Sequence, residues 1–186
     1  MTSRTLPVAT VVLGALLLVG VTVAGTTAGR PVAGSPPEGA PVAVAAAGPG
    51  PAVVHLSADS LVHRHGTAVR DQLQKHYQAI NRRDYAAWRE TVVAERSEDQ
   101  PEVAWREAYA STTDGTIRVD RIDDAPDGGL LLRVRFVSTQ AQSDAPAAFP
   151  AERLCWYTSL PMTPPGKDAP PRLASTGGGS SRPEVC

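Results

Sequence analysis

The sequence predicts an α+β domain in which N-terminal helices pack on a curved antiparallel sheet. Two observations carry this. Apolar residues between Ser57 and Ser111 recur in steps of three and four, the helical period, and after Asp114-Gly115 the period becomes two, the strand period. A third bounds the size: 186 residues with 42% hydrophobic content supply one modest core and hardly a second.

The chain opens with MTSRTLPVATVVLGALLLVGVTVAG, one Arg and the free amine ahead of an uncharged apolar run. Residues 1–25 read as a signal peptide or an N-terminal membrane anchor, and both readings stay open. No Cys lies near the run, which excludes a lipoprotein anchor. Positive charge precedes the run, so the rest of the chain is expected outside the cytoplasm, secreted or tethered to the cell membrane. Residues 26–54 are rich in Pro, Gly and Ala and read as a disordered spacer, leaving 55–186 for the folded domain.

Asp59 and Ser60 are cap candidates for a first short helix at Leu61 and Val62. After Gly66, Val69, Leu73, His76 or Tyr77, and Ile80 share one face of a longer helix. Asn81 tolerates the left-handed conformation that ends a helix, and Asp84 can cap the next, which buries Tyr85, Trp88 and Val92. Pro101 and Glu102 open a third, to about Ser111, carrying Trp105, Ala108 and Tyr109 on one face.

Ile117 and Val119 then alternate with Arg118 and Asp120, DDAPDGG turns the chain, and Leu130, Leu132, Val134 and Phe136 alternate with Arg133 and Arg135. This is a hairpin with one wet face. A further strand, Arg153 to Leu160, sets Leu154, Trp156, Thr158 and Leu160 against Cys155 and Tyr157. The tail has room for one short strand near Arg172 to Ser175. Cys155 and Cys186, an even count in an exported chain without a CxxC spacing, are expected to form a disulfide. Closing a loop of about 30 residues stabilises by about 3.5 kcal/mol in the chain-entropy model.

The segment HYQAINRRDYAAW, residues 76–88, resembles the opening motif of the nuclear transport factor 2-like superfamily: helix, Asn-containing turn, Asp, second helix. The resemblance covers about Ser57 to Leu160. It implies a cystatin-like cone whose sheet wraps the long helix around an apolar pocket, in the manner of secreted actinobacterial members. Tyr77, Trp88, Trp105, Phe136 and Trp156 are the candidates to line that pocket or to fill the core. Enzymatic relatives, similar to ketosteroid isomerase, scytalone dehydratase and polyketide cyclases, imply an alternative in which His76 or Tyr77 polarises a carbonyl and Asp99 is the base.

The residues favour a noncatalytic reading. A carboxylate must be desolvated to serve as a base near neutrality, and Asp99 sits in the charged stretch Arg96 to Gln100. All four His lie at 55, 63, 65 and 76, so no strand supplies one to a dehydratase-like pair. His63 and His65, two apart on a helix, point in different directions, and no metal or cofactor is expected. Eighteen basic against nineteen acidic residues remove the electrostatic footprint of nucleic-acid binding. The expectation is an extracytoplasmic domain that binds a small apolar ligand or an envelope protein. Homodimerisation through the sheet is a further alternative, against which the polar face of Arg133, Arg135 and Tyr157 weighs.

Overall fold

The computed structural model describes residues 48–166, 169–177 and 179–186. The apolar leader expected over 1–25, and most of the spacer, lie outside the described residues. Among the described residues no helix is long and apolar enough to cross a membrane.

The fold is α+β. Strand β1 (Val54–Leu56) is followed by helices α1 (Ala58–Val62), α2 (Gly66–Arg82), α3 (Tyr85–Arg89), α4 (Ala94–Asp99) and α5 (Glu102–Ala108), then by strands β2 (Thr113–Asp124), β3 (Leu130–Thr139), β4 (Arg153–Met162) and β5 (Ser181–Val185). The five strands form one sheet in sequence order, and β1 runs parallel to β2 while every other pair is antiparallel. The sheet is therefore mixed, where an antiparallel one was expected. The cause lies in residues assigned to the spacer. Gln74 on α2 donates to the Ala52 carbonyl at 2.6 Å and accepts from the Val54 amide at 2.9 Å, and the Thr116 amide donates to the Pro51 carbonyl at 2.9 Å. A stretch that cannot ladder on its own is held by side chains and backbone from two other elements. The helices between β1 and β2 supply the long crossover that parallel pairing requires.

The cap of α1 is Ser57, whose hydroxyl accepts from the Ser60 amide, two positions ahead of Asp59, the first of the expected pair. Helix α2 buries Val69, Leu73, His76, Tyr77 and Ile80 as its periodicity predicts. Its first residue must be glycine, because a Cβ on Gly66 would collide with the Ser60 carbonyl. The left-handed residue that ends α2 is Arg83 (φ 58°), not Asn81. Asn81 stays helical and reaches across to β2, donating to the Asp114 carbonyl and accepting from the Asp114 amide, both at 2.8 Å. Asp84 caps α3 through the Ala87 amide. Helix α3 ends before Val92, which instead bridges to Leu173. Helix α4 occupies the charged segment in which no helix was expected, and α5 begins after Pro101 and stops at Ala108, short of Ser111.

The hairpin turns at Ala125–Gly129, and Leu130, Leu132 and Val134 are buried while Arg133 and Arg135 face water. On the outer face Arg118 and Arg135 both pair with Asp120. Exposed pairs of this kind contribute little stability. The tail strand is Ser181–Val185, where one near Arg172 to Ser175 was expected; Leu173 makes only single bridges to Val92 and Met162. Pro170 and Pro171 deprive that stretch of ladder donors, whereas β5 carries its Pro183 at a sheet edge, where proline is tolerated. Cys155 and Cys186 are bonded, with Cα atoms 5.1 Å apart, and so tie β5 to β4.

One apolar core joins α2, α3, α5 and the inner face of the sheet, built on Leu73, Trp88, Trp105, Val92, Ile117 and Leu132, all fully buried. Aromatic rings run through it in sequence, Tyr85 to Trp88 at 5.5 Å, Trp88 to Trp105 at 5.6 Å and Trp105 to Tyr109 at 5.3 Å.

Candidate functional site

A cavity of about 330 Å³ is lined by residues of α2, α4, α5 and the β2–β4 strands. Its apolar wall comes from Ile80, Phe136, Trp156 and Leu160. Phe136 and Trp156 stack with ring centroids 6.0 Å apart and planes 7° from parallel, and Tyr77 leans on Phe136 at 5.2 Å. The Trp156 plane is fixed by a relay: its Nε1 donates to the Ser138 hydroxyl at 2.8 Å, Ser138 donates to Gln140 Oε1, and the Gln140 amide donates to the Ala151 carbonyl. Such a relay holds an aromatic face in one orientation, as a binding surface requires.

Polar and charged side chains join this wall, among them His76, Tyr77, Arg96, Tyr109 and Asp114. His76 lies 2.7 Å through Nδ1 from the Thr91 hydroxyl, and that hydroxyl donates its proton to the Trp88 carbonyl. A hydroxyl has a single proton, so Nδ1 carries the N–H of this pair and Nε2 is an acceptor. Burial holds the imidazole well below its ordinary pKa and the Arg96 charge pushes it the same way, so His76 is neutral. The role expected of it, polarising a carbonyl, needs a donor, which Nε2 in this tautomer is not.

Asp114 is 3% exposed. Its backbone is clamped by Asn81, yet carboxyl Oδ1 is buried with no hydrogen-bond partner among the described residues. Burial pushes its pKa up from 3.8 to about 7, with the Arg83 charge opposing. Burial likewise raises Tyr77 and Tyr109, so both phenols stay protonated at neutral pH and offer donors to the cavity.

Of the residues singled out in the sequence, His76, Tyr77, Phe136 and Trp156 meet at this cavity. Trp88 and Trp105 belong to the core behind it, fully buried. Asp99 is exposed at the end of α4 and is not among the lining residues. His63 lies 3.5 Å from Asp124, and among the described residues no group of three or more His, Cys, Asp or Glu is placed to hold a metal ion. Sequence reasoning missed Arg96, Tyr109 and Asp114 as site residues. Asp114 followed by glycine reads as a turn; the one available signal was Asn81, a polar residue continuing the buried edge of α2.

The sequence matches no protein-family model, and no curated protein or solved structure matches the chain.

Proposed function

We propose that the chain is an extracytoplasmic, noncatalytic domain that binds one small, largely apolar molecule in the cavity between α2 and the sheet. The observation that carries this reading is the fixed Phe136–Trp156 face sharing one cavity with buried polar groups. About 330 Å³ suits a ligand of two fused rings or a short chain. The order of helices and strands is consistent with the nuclear transport factor 2-like resemblance, and the Cys155–Cys186 bond favours an oxidising compartment. Calorimetric titration with 2-naphthol tests it. Binding is expected, weakened about tenfold or more by Phe136→Ala or Trp156→Ala through loss of stacking and buried area. No binding at millimolar probe, or binding indifferent to both substitutions, overturns it.

Asp114 favours a second reading, the isomerase or dehydratase alternative with its base moved from Asp99. A buried carboxyl poised near neutrality can take a proton from carbon next to a carbonyl, while the hydroxyl of Tyr77 or Tyr109 donates to the enolate oxygen. Its test is deuterium exchange at the acidic C–H positions of 2-tetralone in D2O, followed by NMR. Exchange above buffer that Asp114→Asn removes supports it; exchange equal to buffer overturns it.

A further inference from the structure

We propose that the ligand of this cavity is a monoanion, a carboxylate on an apolar body, whose charged group pairs with Arg96 while the body lies on Phe136 and Trp156; this rests on the binding reading above.

Arg96 projects from α4 and lines the cavity. Arg64, Arg70, Arg106, Arg118, Arg121 and Arg135 each have a carboxylate partner. Among the described residues Arg96 has none, and its side chain makes one hydrogen bond, to the Ala174 carbonyl, stretched to 3.5 Å. A guanidinium has five N–H donors in a rigid fork that matches a carboxylate, and leaving it unpaired in a partly desolvated site costs free energy. Exposed arginines discharge that cost into water. Arg96 is half-buried, and burial depresses its pKa, the signature of a charge short of solvation.

Its surroundings sharpen the class of ligand. Tyr77 and Tyr109 line the same cavity, and their phenols are near enough to interact electrostatically with the guanidinium. His76, neutral, adds no second positive charge. One cation with two neutral donors matches one negative charge; a phosphate dianion would keep an unmatched charge in a site with an apolar wall. Two carboxylates also line the cavity. Asp144 is exposed and bonded by Ser111 and Ser143, and Asp114 faces Arg83 electrostatically rather than Arg96. Neither neutralises Arg96, and Asp114 is mostly protonated in mild acid, so it does not repel an anion there.

The test compares 2-naphthoate with 2-naphthamide, matched in shape and differing in charge, by calorimetric titration of the purified chain with its disulfide intact, at about pH 6, where an aromatic carboxylic acid is ionised. The acid is expected to bind about tenfold or more tighter than the amide, the increment of a charge-assisted pair. Arg96→Gln should abolish that preference, and Arg96→Lys should keep part of it. Equal affinity for the two probes in the unaltered protein overturns the anion inference and leaves the cavity reading standing, whether or not the variants fold. Equal loss for both probes in Arg96→Gln also overturns it. Binding of neither probe overturns both readings.

Discussion

Replacing Asp114 by Asn should stabilise the protein, and the gain should depend on pH in a way that only this residue explains. In the unfolded chain the carboxyl titrates near 3.8, whereas in the folded protein burial raises it to about 7. Between those values the folded state holds a proton that the unfolded state has released. Stability therefore falls as pH climbs from about 4 to about 7, and the whole cost persists above that window. A rise of roughly three units corresponds to about 4 kcal/mol at pH 8 and above, and to nothing below pH 4. Asparagine removes the titration but buries an amide whose partners are incomplete, which takes back about 1 to 3 kcal/mol. The expected net gain is about 2 kcal/mol at pH 8.5, shrinking and then changing sign toward pH 4. Urea unfolding of both proteins across that range, disulfide intact, reads it directly. A difference between the two proteins that is flat with pH would refute the claim that Asp114 is held protonated by burial.

Leu73→Ala should cost about 2 to 5 kcal/mol in denaturant midpoint analysis, because Leu73 is fully buried at the centre of the α2–sheet interface. Asn81→Ala strips two hydrogen bonds from the Asp114 backbone and should cost about 2 kcal/mol, with faster amide exchange at the start of β2. Cys155→Ser should lower stability by about 3.5 kcal/mol on the chain-entropy scale, and exchange should accelerate over Ser181–Val185 before it does over β2 and β3. Light scattering at micromolar concentration should give the mass of one chain, since an interface on the outer face of the sheet would have to bury Arg118, Arg133 and Arg135.

What could be read from residues was what local periodicity encodes. The three-and-four steps from Val69 to Ile80 and the alternation from Ile117 to Phe136 each report one buried face, and the structure places those faces in one core. Asp84 was legible as a cap because its partner, the Ala87 amide, lies three residues away. Strands β1 and β5 were not legible. Val-His-Leu is too short to show a period and depends on Gln74 twenty residues on, and Ser-Arg-Pro-Glu-Val is polar and held by a crosslink. The cavity divided in the same way. Tyr77, Phe136 and Trp156 announce themselves as large side chains on periodic elements. Asp114 owes its burial to Asn81, 33 positions earlier, and Arg96 owes its place to a helix in a segment whose charges suggest solvent.

The chain's three tryptophans fall into two optical classes. Trp88 and Trp105 are sealed in the interior with neither indole N–H bonded among the described residues, so their emission should be blue and out of reach of aqueous quenchers. Trp156 alone lines the cavity, with its indole bonded to Ser138. The protein thus carries an intrinsic reporter whose redder, quenchable component belongs to a single residue, and any guest entering the cavity must alter that component first.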